Sequence, residues 1–178
     1  MDRACGPLLG GSRVFLVIVE PEMDFELEWR DRRVPAGQTV RKGRPYKTPR
    51  RFLDFVIGGA SLYDVHGMEE ISVLGWLSPD CDEQAARRLL LKEEPDFDGR
   101  VALYICAECG DLDCGAITAK IDREADEFVW REMGLSLMDW SGGVPRHDRD
   151  DFAAWQELRF PASQYAEAIG TRPRPNLI

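Results

Sequence analysis

Val101-Ala-Leu-Tyr-Ile105-Cys106-Ala-Glu-Cys109-Gly110-Asp-Leu-Asp-Cys114-Gly115-Ala-Ile-Thr-Ala-Lys-Ile121 is the stretch that decides how this chain is read. Val101–Ile105 is an unbroken apolar run of strand length, and Ala116–Ile121 is a second segment with strand character. The connection between them is short and carries glycine, so the two runs read as the arms of an antiparallel hairpin. Three of the five cysteines fall within the nine residues of that connection. A bend that crowded with sulfur is the strongest chemical signal in the sequence.

Cys106-Ala-Glu-Cys109-Gly110 has the spacing of a zinc knuckle. A two-residue gap lets both thiolates face one ion, amides after the first cysteine can hold the sulfurs, and glycine relieves the crowded position that follows. Cys114 adds a third thiolate. A closed structural zinc site needs four ligands, so one must come from elsewhere. Cys81, at the start of a predicted helix, is the first choice, because helix N-termini stabilise thiolates. His66, His147, Asp111 and Asp113 are the other candidates. The expected metal set is therefore Cys106, Cys109, Cys114 and Cys81, with zinc as the ion. Thiol redox chemistry is the alternative, although the Cys-x-x-Cys here follows a strand rather than opening a helix as it does in thioredoxins. Three thiolates would leave zinc a weak Lewis acid, which favours a structural over a hydrolytic centre.

Working outward, Asp24–Arg30 alternates apolar Phe25, Leu27 and Trp29 with charged residues, the pattern of a half-exposed strand. Val14–Val19 is continuously apolar and reads as a buried strand, and Phe52–Ile57 is again strand-like. Ser61 with Asp64 forms a capping pair for a short helix at 61–66 closed by Gly67, and 71–77 reads as a further strand. Ser78-Pro79-Asp80 announces a helix over 81–92 that stops before Pro95. Phe128–Met133 continues the meander, 156–160 is a last strand, and Pro161 opens a final helix that ends at 169–170. The expected fold is α+β: a mostly antiparallel sheet of six or seven strands, two or three helices, and a zinc-knuckle-like hairpin turn. At 178 residues one domain is expected, with loose ends at 1–12 and 171–178.

The net charge is −9, which argues against nucleic-acid binding by the surface as a whole. The charge is uneven, however. Residues 30–51 hold nine Arg and Lys against the single acid Asp31, a net of +8, leaving −17 on the remainder. That segment could dock on an acidic partner or on phosphates, or fold back onto the acidic body. No apolar run approaches the roughly 20 residues needed to cross a bilayer, and no signal-peptide pattern opens the chain, so a cytoplasmic location is expected. No nucleophile elbow, phosphate loop or His-Glu-x-x-His motif is present. The functional expectation is a zinc-stabilised binding or adaptor protein with a protein partner. The alternatives are a small thiol-redox or zinc-dependent enzyme using the same cysteines, or an acidic immunity-type or antitoxin-type neutraliser.

Tyr104-Ile-Cys106-Ala-Glu-Cys109-Gly-Asp-Leu-Asp-Cys114-Gly-Ala116 resembles a segment shared by a set of small bacterial proteins, in which strand, Cys-x-x-Cys-Gly-Asp-x-x-Cys-Gly-Ala and strand follow one another. The resemblance extends from Phe52 to Met133. It implies a bacterial origin and the same strand–turn–strand context, and it carries over no catalytic residue.

Overall fold

The arms of the hairpin are strands β7 (Val101–Ile105) and β8 (Ala116–Glu124), paired antiparallel with Ile105 opposite Ala116. They appear in a computed structural model that describes residues 23–34, 40–41, 44–45, 47–139, 146–148 and 157–174. The expected strand at Val14–Val19 and the lead-in at 1–12 lie outside the described residues.

In chain order, β1 (Phe25–Asp31) comes first, followed by the two-residue ribbon of β2 (Val40–Arg41) and β3 (Arg44–Pro45). β4 (Arg51–Ile57), β5 (Ala60–Ser61), α1 (Leu62–His66) and β6 (Ile71–Ser72) precede α2 (Pro79–Leu89) and the hairpin. The chain then runs through β9 (Glu127–Leu137), β10 (Arg146–Asp148), β11 (Glu157–Pro161) and α3 (Ala162–Gly170). β1, β4 and β5 form one antiparallel sheet, and a second runs β10–β9–β8–β7–β6 with β11 also on β9. Among the described residues the fold is α+β with three helices, as expected, and six of the strands have five or more residues. These strands are divided between two sheets rather than joined in one.

The division is made at the segment expected to be a strand over 71–77, which pairs only through Ser72. Val73 N–H then donates to Leu103 O at 3.0 Å in one sheet, while Leu53 N–H donates to Leu74 O at 3.0 Å in the other. Consecutive residues thus bond to different sheets, and the chain turns away at Gly75. Gly75 has φ +89°, and a Cβ there would lie 2.9 Å from Leu53 N, so only glycine fits. Its amide donates to Asp82 Oδ1 at 2.7 Å, and Asp82 Oδ2 accepts from Arg172 Nε and Nη2 at 2.9 and 2.7 Å. This buried pair fastens the residues after α3 to the first turn of α2.

Helix starts follow the capping chemistry. Ser61 Oγ accepts the Asp64 amide and Ser78 Oγ accepts the Cys81 amide, with Pro79 just inside α2. α2 stops at Leu89 instead of Lys92. Leu91 adopts φ +56°, which lets the amides of Leu91 and Lys92 return to the carbonyls of Arg88 and Arg87 and close the helix three residues early. In α3, Pro161 stands one position outside the helix.

One cluster of buried apolar side chains draws on both sheets and on all three helices. At its centre Trp130 lies edge-on to Phe55 and Phe160, with ring centroids 5.3 Å apart in each pair. Tyr165 from α3 accepts from Trp130 Nε1 at 3.2 Å and donates to Leu89 O at 3.1 Å, so no polar atom of this aromatic group is stranded. Among the described residues no helix is long and apolar enough to cross a membrane.

Candidate metal centre

β7 is buried at every position, so it delivers Cys106 from a fixed backbone to the sheet rim, where Cys106 is half-buried and Cys109 and Cys114 are exposed. Gly110 N–H returns to Cys106 O at 3.0 Å, and Gly115 N–H to Leu112 O at 2.9 Å, closing two successive turns. At Gly115, φ is +92° and a Cβ would fall 2.5 Å from the Leu137 side chain and 2.9 Å from Ser136 O. The close approach of the turn to β9 therefore requires glycine after Cys114.

The three sulfurs lie within 4.8 Å of one another, and Cys109 Sγ is 3.5 Å from Cys114 Sγ. A tetrahedral zinc with bonds of about 2.3 Å separates its sulfurs by about 3.8 Å, so the spacing suits one ion. Burial pushes the Cys106 thiol up. Amide donors from Cys109 and Glu108, together with the Cys109 and Cys114 thiols, outweigh it and bring Cys106 below the ordinary cysteine value. Cys109 is pushed up to about 12, by burial first and then by the side chains of Asp111, Cys106 and Cys114, against the favourable Asp111 amide. One thiol of the group ionises readily and the next resists. A divalent cation reverses that resistance by displacing the proton.

The turn is held from outside by the ends of the basic segment. Glu108, the second residue inside the Cys-x-x-Cys, accepts from Arg32 Nη1 at 2.5 Å, from the Thr48 amide at 3.1 Å and from Thr48 Oγ1 at 3.0 Å. Arg50 Nε donates to Ala107 O, and the Arg50 guanidinium stacks 4.5 Å over Trp76, the ring that also lies against Gly110. Of the described cations in 30–51, Arg30, Arg32, Arg33 and Lys47 all pair with carboxylates of this chain. Where it is described, the segment folds back onto its own body. The side chains of Arg41, Lys42 and Arg44 lie outside the described residues.

A cleft of about 200 Å³ opens beside the sulfurs, lined by Cys106, Cys114, Arg32, Lys47, Glu69, Glu70 and Glu108. Lys47 Nζ holds Glu69 at 2.6 Å. Glu70 is half-buried and makes no side-chain hydrogen bond or ion pair among the described residues.

Of the ligands expected from sequence, Cys106, Cys109 and Cys114 come together and Cys81 does not join them. Cys81 sits exposed on the first turn of α2, its amide held by Ser78, in a helix whose direction is set by the buried Asp82–Arg172 pair. His66 ends α1, and His147 on β10 contacts Ser136 Oγ and Glu132 O at 3.1 Å each, so neither is part of the sulfur group. Asp111 accepts the Asp113 amide at 3.0 Å and stabilises the turn itself. Sequence reasoning passed over Glu108 as the anchor of the turn and Glu70 as a wall of the cleft. The spacing inside the Cys-x-x-Cys offered a signal for the first, whereas the second depends on pairing between strands remote in sequence. No protein family, curated protein or solved structure matches this chain.

Proposed function

We propose that this chain is a non-enzymatic, zinc-stabilised binding or adaptor protein, in which the Cys106–Cys109–Cys114 turn is a rigid projection that meets a protein partner. The observation that carries the reading is the convergence of three sulfurs at the tip of a buried hairpin, with backbone amides aimed at Cys106 and Cys109. The ion is zinc because thiolate donors at tetrahedral spacing select it over harder divalent cations. A thiolate-rich centre polarises water poorly, which supports a structural over a hydrolytic role. Ion binding makes the exposed turn stiff, and stiffness in a protruding loop lowers the entropic cost of docking.

The test is elemental analysis of protein purified under reducing conditions, followed by thermal melts before and after chelation. About one zinc per chain and a lowered melting temperature on its removal are expected, because metal-binding free energy is folding free energy. The 3.5 Å approach of Cys109 and Cys114 favours thiol redox as the second reading. Metal-free protein carrying a Cys109–Cys114 disulfide, with a melting temperature indifferent to chelators, would establish that reading and remove the first.

A further inference from the structure

We infer that Glu70 is the fourth ligand of the ion held by Cys106, Cys109 and Cys114, an inference that rests on the metal reading above. The argument begins with strand register. Ile71 pairs with Ile105 across β6–β7, and Ile105 pairs with Ala116 across β7–β8. Carried one residue past the last paired positions, that register aligns Glu70 with Cys106, and Cys106 with Gly115. Residues opposite one another in an antiparallel pair project to the same face, with Cβ atoms about 4.5–5.5 Å apart. Glu70, Cys106 and Gly115 all line the one cleft, and the three sulfurs form their close group without the Glu70 carboxylate, which has to swing inward to complete it.

The other carboxylates of that cleft are already engaged. Glu69 is held by Lys47, and both oxygens of Glu108 are taken by Arg32 and Thr48. Among the described residues, Glu70 alone of these carboxylates has no cation and no donor. A half-buried carboxylate without a partner, beside a group of thiolates that lacks one ligand, is completed by an ion between them.

Three thiolates and a carboxylate around a dication leave a net of about −2. Arg32 and Lys47, whose side chains are 5 % and 10 % exposed, face the same cleft, where each already holds a carboxylate, Glu108 and Glu69. Among the described residues Arg32 Nε is buried with no hydrogen-bond partner. A site of this composition is closed, with no position for a substrate.

The test is titration of the reduced, metal-free full chain with cobalt(II), whose thiolate charge-transfer absorption counts sulfur ligands and whose visible bands report the remaining donor. Wild type should show three-thiolate intensity in a tetrahedral field. Glu70→Gln should keep that intensity, change the visible envelope and weaken binding at least about tenfold. Glu69→Gln and Cys81→Ser should stay within about twofold of wild type in affinity. Glu70→Cys should raise the charge-transfer intensity by about a third, as a fourth thiolate enters. A Glu70→Gln protein that matches wild type in affinity and spectrum, or a Glu70→Cys protein that stays at three thiolates, overturns the inference and leaves the metal reading standing. Four-thiolate intensity in wild type that falls by a quarter in Cys81→Ser gives the position to Cys81. A wild-type chain that takes up no cobalt overturns both.

Discussion

Replacing Glu108 with alanine tests whether the metal turn and the ends of the basic segment are one mechanical unit. The change removes the carboxylate from Arg32, whose side chain is 5 % exposed, and from the amide and hydroxyl of Thr48. A charge-assisted hydrogen bond is worth about 1.5–3 kcal/mol, and stranding a buried arginine costs towards about 3–5 kcal/mol. Glu108 is itself 38 % exposed, so solvent screens much of this and a loss of about 2 kcal/mol is expected. For a chain of this length that lowers the melting temperature by about 4–8 °C. The measurement is urea and thermal unfolding of reduced, metal-free wild type and Glu108→Ala, with Arg32→Met and the double variant completing a cycle. The pH dependence supplies an independent check. Burial alone would raise the Glu108 carboxyl, but Arg32 and Thr48 outweigh it and hold the carboxyl below the usual glutamate range. A depressed carboxyl contributes stability above its unfolded value, about 4.3, and loses it as pH falls through the folded value. The gap between wild type and Glu108→Ala should therefore be flat near pH 7 and close in acid below about pH 4. A loss under about 0.5 kcal/mol, or a gap that persists unchanged into acid, would refute the reasoning.

Asp82→Ala leaves the buried Arg172 with only the half-exposed Glu83 as counter-charge and Gly75 N–H without an acceptor, so a loss of about 2–4 kcal/mol is expected in denaturant titrations, most of it recovered when Arg172→Met is added. Gly115→Ala forces a Cβ to within 2.5 Å of Leu137 at a φ of +92°. It should cost about 1–3 kcal/mol by calorimetry and, because the neighbouring Cys114 moves with the backbone, weaken metal uptake in the same preparation.

Much of the architecture was legible from local chemistry. Ser61 and Ser78 begin helices because a hydroxyl at those positions satisfies an amide the helix cannot, and that requirement needs no knowledge of the rest of the fold. The hairpin around the cysteines was legible for a similar reason: a short turn between two apolar runs allows only antiparallel pairing. Expectations failed where a distant partner intervened. The run 71–77 has strand composition, yet Gly75 is bent out of line by Asp82, which is in turn held by Arg172, a residue 90 positions away in sequence. Helix α2 ends early through the backbone of Leu91, whose left-handed conformation no side-chain preference announces.

Sequence alone determined the kind of centre this protein can build, because Cys-x-x-Cys-Gly and a third cysteine five residues on let three sulfurs reach one ion from a single short turn. Tertiary structure alone decided what the centre is built against. The pairing of β6 with β7 brought Glu70 into the cleft that Cys106 lines, the fold-back of the basic segment set Arg32 behind Glu108, and the orientation of α2 kept Cys81 out of the sulfur group. Short-range geometry is written into a few bonds. Neighbours from separate strands are chosen only when the core closes and fixes the register.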